Sequence, residues 1–202
     1  MTERDEKAAK LAKAIEDFLR AVDKSPGTYP ELLDTPVRSA DMWLDDLLDG
    51  YQWDPAAILE GGLPATNNRG MVVVKDIYFH SVCPHHLLPG HGVAHVAYVP
   101  GETIVGFSKI SRLVDCFAHR LTLQETVVKE VCDALMTHLG ARGAACVIDA
   151  EQLCMVVRGV RKPGSRAITS DYAGEFLTDS ALRMEFLQAI DAEESWTETK
   201  FS

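Results

Sequence analysis

Residues 71–99 read MVVVKDIYFHSVCPHHLLPGHGVAHVAYV. Two runs rich in β-branched and aromatic residues, Met71–Val82 and Gly92–Val99, flank the turn Cys83-Pro84-His85-His86-Leu87-Leu88-Pro89-Gly90. Such runs, bounded by Pro and Gly, predict two antiparallel strands. Their connection carries one thiol and two imidazoles.

Downstream, Thr103–Phe107 reads as a short strand. Ser108 is the expected cap of a helix with Ile110, Leu113, Val114 and Phe117 at helical spacing. Thr122 and Glu125 have the spacing of a capping box. They open a second helix through Val128, Val131, Leu135 and Leu139 to a stop at Gly140. Ala144–Ala150 and Leu153–Val160 read as an antiparallel pair, and Arg166–Asp171 as another strand. Thr178 starts a last helix with Leu182, Phe186 and Ile190, before an acidic tail beyond Asp191.

Upstream, residues 1–24 form a charged amphipathic helix pattern, with Leu11, Ile15, Phe18, Leu19 and Val22 on one face. A Pro- and Gly-containing linker follows from Ser25 to Tyr29. Thr35 before Pro36 reads as a helix N-cap, the helix carrying Met42, Trp43, Leu47 and Leu48. Residues 54–70 read as loop. The order predicts an α+β fold, an antiparallel sheet with helices packed on one face. We divide it into an N-terminal helical extension, residues 1–50, and a main domain, residues 51–202.

The 202 residues carry a formal net charge of -10 and 47% hydrophobic residues. An acidic balance disfavours nucleic acid and anionic membranes as partners. No apolar run is long enough to span a bilayer, and MTERDEKAAK lacks the apolar core of a secretory signal. The expected location is the cytoplasm. Five cysteines (83, 116, 132, 146 and 154) form an odd set, which argues against a disulfide framework. Cys116 and Cys132 fall in helical patterns and read as core.

Cys83 and a histidine two or three residues on can reach one metal ion, with Cys154 as the best distant third ligand. Two thiolates and one imidazole leave a fourth position open, the pattern of catalytic rather than structural zinc. Thiolates favour zinc over magnesium or calcium. His85 and His86 cannot easily both bind on one tight turn. One is a ligand candidate and the other a proton carrier, and spacing leaves the choice open. Without further signals, Cys83 reads equally as a buried thiol, and Glu125, Lys109, Arg112 and Arg158 as a helix cap and solvated charges.

Five segments add such signals. Ser81–Pro89 resembles the Ser-x-Cys-Glu-His-His-x-x-Pro segment of the GTP cyclohydrolase I family. Gly106–Arg112 is similar to its Gly-Leu-Ser-Lys-x-x-Arg, and Leu123-Gln124-Glu125 to its Val-Gln-Glu. Cys154–Val160 is similar to its Cys-Met-x-x-Arg-Gly-Val, and Asp34–Arg38 to its Asp-Thr-Pro-x-Arg. They occur in family order across about residues 33–190. The resemblance implies a tunnelling fold and a homodecamer with sites between subunits. It implies Zn2+ on Cys83, His86 and Cys154, and His85 as the proton-transfer residue. It also implies Glu125 on the guanine edge with Gln124 and Ser108 nearby, and Lys109, Arg112 and Arg158 on the triphosphate, assisted by Arg38. The implied reaction is hydrolysis at C8 of GTP, giving 7,8-dihydroneopterin triphosphate and formate without a redox cofactor.

Three positions depart from the family pattern: Gln152 where a catalytic His is usual, Pro84 in place of Glu, and Asp41 in place of Lys. Glutamine hydrogen-bonds but takes no proton near neutral pH. The departures raise an alternative: a diverged enzyme that acts on another purine nucleotide, or stops at or redirects a ring-opened intermediate. A non-catalytic purine- or pterin-binding regulator and a nicotinamide-dependent nitrile reductase of the same fold are the remaining readings. The open Cys/His/Cys set weighs against both.

Overall fold

A computed structural model describes residues 2–66 and 70–191; Asn67, Asn68, Arg69 and the acidic tail expected beyond Asp191 lie outside the described residues. The chain opens with α1 (Glu3–Ala21), a 3-10 turn (Pro30–Leu32), α2 (Thr35–Asp41), a π-helical segment (Met42–Leu47) and a 3-10 turn (Asp49–Gln52). Then come α3 (Pro55–Leu59), β1 (Leu63–Pro64), β2 (Val72–Val82), β3 (Pro89–Val99), β4 (Thr103–Ile104), α4 (Phe107–Ala118) and α5 (Gln124–His138). The chain continues through β5 (Gly143–Gln152), α6 (Leu153–Val156), β6 (Ala167–Gly174), α7 (Glu175–Thr178) and α8 (Ser180–Asp191).

The predicted hairpin is β2–β3, and it seeds an antiparallel sheet in the order β2-β3-β5-β6. Strand alternation sends Phe79, Ala94, Val96, Tyr98, Cys146 and Ile148 to one face. There they pack on Ile110, Leu113 and Val114 of α4 and Val127, Val131 and Leu135 of α5. This is the α+β class expected, with α4 and α5 on this face, although helices cover the other face as well rather than one alone. The opposite face carries Ala97, Val99, Ala145 and Val147, and it is closed by Phe176 of α7 and Phe186 of α8. Cys116 and Cys132 are buried, as their helical spacing predicted, and burial pushes both thiols up in pKa.

The β3–β5 pairing runs unbroken from Gly90 opposite Gln152 to Val99 opposite Gly143. The strands approach so closely at Gly92 that a Cβ there would sit 2.1 Å from the Asp149 carbonyl oxygen and 2.6 Å from Ala150 Cα. In β2 the register shifts between Val74 and Ile77, where Asp76 has φ +57°. This bulge turns the Asp76 N–H onto Nδ1 of His95, 3.2 Å away.

The N-terminal helices dock through charge. Arg4 of α1 pairs with Asp41 at 2.6 Å and also with Asp45. Residue 41, where the family pattern has Lys, is thus occupied by contact with α1. Closer in, Asp49 Oδ1 lies 2.7 Å from His119 Nδ1, and the His119 ring stacks on His80 with centroids 3.8 Å apart.

Several local expectations are corrected. Leu153–Val160 is not a strand: the chain turns into α6, and β5 pairs with β6 instead. The stretch 54–70 contains α3 and β1, α3 being capped by Asp54, whose carboxylate accepts the Ala56 N–H. The first cap residues are Asp34, Gly106 and Leu123 rather than Thr35, Ser108 and Thr122, and none makes a side-chain cap bond. Asp179, not Thr178, caps α8 by accepting from the Ala181 and Leu182 N–H groups. No helix among the described residues is long and apolar enough to cross a membrane.

Two predictions follow from the sheet. Gly92→Ala should destabilise by about 1–3 kcal/mol through backbone overlap, read as a lower urea midpoint. Burial holds the His95 pKa below its ordinary value. Above pH about 6.5 the imidazole is neutral in both the folded and the unfolded chain. Below it, the unfolded chain takes up the proton first, so stability falls as pH drops. The unfolding midpoint should decline from pH 7 to pH 5.5, and His95→Gln should flatten that decline.

Candidate metal site and purine pocket

The turn between β2 and β3 is closed at both ends. The Cys83 N–H donates to Leu88 O and the Leu87 N–H to Cys83 O, each at 2.9 Å. Pro84, which has no N–H to satisfy, fits this tight turn. Leu87 takes φ +53°, an uncommon conformation for a non-glycine residue. The turn is anchored to the α4–α5 connection: the Val82 N–H donates to Arg120 O and the Thr122 N–H to Val82 O. Strand β2 therefore delivers Cys83 and the histidines to the start of α5.

Strand β5 ends at Gln152, and α6 begins at once, which swings Cys154 back over the turn. One ligand atom from each of Cys83, His86 and Cys154 lies within 4.8 Å of the others. The sequence left His85 and His86 undecided; in the structure it is His86 that closes with the two thiols. Cys83 Sγ and His86 Nδ1 are 3.9 Å apart. A tetrahedral ion with metal–sulfur near 2.3 Å and metal–nitrogen near 2.0 Å spans about 3.6 Å between such ligands, so the three residues fit a metal. Burial, then the adjacent Cys83 thiol, push the Cys154 thiol up in pKa, the direction expected when two sulfurs share a small space.

Beside the ligands is a cavity of about 220 Å³ lined by Cys83, Cys154, His85, Gln124, Glu125, Gln152 and Thr169 among others. His85 and Glu125 are exposed there, while Gln124 is buried. The Gln124 amide is fully committed: Nε2 donates to Ile148 O at 3.2 Å and Ala167 O at 2.8 Å, and Oε1 accepts from Gln152 Nε2 at 2.9 Å. Because both carbonyls demand a donor, the Gln124 oxygen must face Gln152. Gln152 is thereby held with its own oxygen as the spare acceptor. Gly90 leaves room for this crossing, since a Cβ there would meet the Gln152 side chain at 2.3 Å.

The other proposed substrate residues stand outside the described lining of this cavity. Ser108 is exposed on α4. Lys109 donates from Nζ to Ile58 O at 2.8 Å and Glu60 O at 2.7 Å, tying down the end of α3. Arg112 and Arg158 are exposed. Arg38 pairs with Asp34 at 2.8 Å on the surface of α2. Thr169, Ser81 and Met155 line the cavity without having been singled out from the sequence. Only strand alternation in Arg166–Asp171 could have pointed to Thr169, once its pairing with β5 was known.

Fold and site together define a tunnelling-fold protein with a Cys–His–Cys group able to bind a metal next to an acid-bearing pocket. The family model described as GTP cyclohydrolase I matches residues 11–191. The chain is 48% identical over 157 residues to GTP cyclohydrolase 1 of Chromobacterium violaceum, covering 78% of this chain and 76% of the relative. It is 41% identical over 183 residues to GTP cyclohydrolase 1 of Campylobacter lari, covering 91% and 95%. It is 43% identical over 188 residues to that of a Dehalococcoides mccartyi strain, covering 92% and 97%. The chain belongs to the GTP cyclohydrolase I family, and it is an enzyme of that hydrolase type.

Gln124→Leu should strip partners from the Ile148 and Ala167 carbonyls and from the Gln152 amide. We expect a loss of about 1–3 kcal/mol in urea unfolding, against within about 0.5 kcal/mol for the exposed Glu125→Leu.

Proposed function

We propose that this protein hydrolyses the imidazole ring of GTP at C8, giving formate and 7,8-dihydroneopterin triphosphate. The observation that carries the reading is the closure of Cys83, His86 and Cys154 around one point, on the rim of a cavity that also holds Glu125 and His85. Two thiolates and one imidazole suit Zn2+. When bound there, zinc supplies Lewis acidity and an activated water at its open position.

The protein's own groups divide the remaining work. The Glu125 carboxylate has two acceptor oxygens for the N1–H and 2-amino donors of guanine, a paired contact that fixes the base and rejects adenine. His85, exposed in the cavity beside the ligand cluster, is placed to carry protons between pocket and solvent. Gln152 offers its carbonyl oxygen where the family pattern has an imidazole; it orients a donor but stores no proton.

The cavity is smaller than the roughly 300–1,000 Å³ of pockets that enclose a drug-sized ligand. It suits a base, with the phosphates outside. Lys109, Arg112 and Arg158, assisted by Arg38, are then the phosphate-side residues, with Ser108 on the base side near Glu125 and Gln124; they are supplied in part by a neighbouring chain of a homo-oligomer, a decamer on the family pattern. The sheet order supports an oligomer: among the described residues β2 and β6 are the edge strands, β2 being covered only at its Val82 end by the bridge to Leu121, and such edges favour pairing with another copy. In this reading residues 1–50 are an extension serving the main domain of residues 51–202, in the cytoplasm.

A second reading rests on Gln152 alone: without the second proton carrier, the reaction halts at or diverts from a ring-opened intermediate, or a different purine nucleotide is preferred. Zinc-loaded protein incubated with GTP, with pterin and formate measured together, separates the two. We expect one formate per dihydroneopterin triphosphate. A ring-opened formamide with no formate selects the second reading, and metal-bound protein that leaves every purine nucleotide unchanged overturns both. A companion variant sharpens the outcome. A histidine ring nitrogen can make the same donation to Gln124 Oε1, so Gln152→His should keep the wild-type unfolding midpoint. It should raise the hydrolytic rate about tenfold or more.

A further inference from the structure

Among the described residues, Thr169 Oγ1 is a buried side-chain polar atom with no hydrogen-bond partner. The residue lies on β6 and is among those lining the cavity that Glu125, Gln124 and Gln152 also line. Native proteins seldom leave such a group unpaired, and an exception calls for a reason. Thr169 stands opposite Ile148 in the β5–β6 register. One neighbouring amide of the cavity lining, Gln124, is already bound to Ile148 O, Ala167 O and Gln152. Polar groups that line this cavity beside Thr169 include the Glu125 carboxylate and the Gln152 side chain, with Ser81, His85 and Thr122 also in the lining.

We propose that Thr169 binds the purine: its hydroxyl is completed by the base and reads the ring beside Glu125. The division of labour is chemical. A carboxylate only accepts, so Glu125 can serve the N1–H and 2-amino donors but repels the ring acceptors, O6 and N3, that flank them. The Thr169 hydroxyl can donate, and one of those flanking acceptors would complete it. Together the two residues match a donor–acceptor edge that neither matches alone. The inference rests on the guanine reading above for the identity of the base, and it adds a specificity residue to that pocket.

The test compares Thr169→Val, which keeps the shape and removes the hydroxyl, with Thr169→Ser, which keeps the hydroxyl. GTP binding is measured calorimetrically on chelator-treated protein, steady-state kinetics on zinc-loaded protein, and urea unfolding without nucleotide. Thr169→Val should weaken GTP binding by roughly five- to tenfold, the size of one neutral hydrogen bond. KM should rise by a similar factor with kcat little changed. Its unfolding midpoint should equal or exceed that of the parent, because an unsatisfied hydroxyl is gone. Thr169→Ser should restore binding to within about twofold. Unchanged GTP binding in Thr169→Val overturns the inference alone, as does an earlier unfolding midpoint, which would mean the hydroxyl has an internal partner. Wild-type binding of GTP without formate release overturns the proposed reaction and leaves Thr169 to the binding data. Failure of the wild type to bind GTP overturns both.

Discussion

The site depends on one buried side chain. Gln124 sits at the first turn of α5 and spends its whole amide on β5, β6 and Gln152. Three elements that are far apart in sequence are thereby locked at one corner of the sheet. A buried amide with every donor and acceptor met rigidifies its surroundings, and one left partly met costs stability. Its neighbour Glu125 inherits this fixed position while staying exposed to the cavity. The family resemblance implies a place for Gln124 near the guanine; the structure makes it a strut that holds Gln152.

The candidate ligands Cys83 and His86 are held by a different device, the short backbone ring of the β2–β3 turn and its bonds to Arg120 and Thr122. Since those two residues link α4 to α5, the turn and the strut meet at the same corner. The cavity is what remains between them. Pro84 sits comfortably in this scheme because the turn bonds use the N–H groups of Cys83 and Leu87, not of residue 84. Asp41 has an equally local explanation in its pairing with Arg4. Of the three departures from the family pattern, Gln152 alone is in the lining of the cavity beside Cys83 and Cys154.

Much of this was legible in the sequence. Alternating β-branched residues in Met71–Val82 and Gly92–Val99 gave the hairpin, and helical spacing gave the buried faces of α4 and α5. Cys83, the His85–His86 pair and Cys154 were candidate ligands on residue chemistry alone. What was not legible depended on tertiary choices. Leu153–Val160 has an apolar strand-like pattern, yet Cys154 must turn back toward Cys83, and the chain leaves the sheet to do so. Caps were misplaced because Ser108, Thr122 and Thr35 are good cap residues whose helices start one or two positions away. Thr169 was hidden because a lone hydroxyl on a strand carries no signal until its neighbours are known.

The central claim is that one metal ion and one guanine base share this corner of the fold. The most direct measurement is anomalous diffraction at the zinc edge from crystals of zinc-loaded protein soaked with a slowly hydrolysed GTP analogue. The predicted result is one peak per chain between Cys83, His86 and Cys154, with the base packed against Glu125. A peak at other residues, or a base bound away from Glu125, would contradict it.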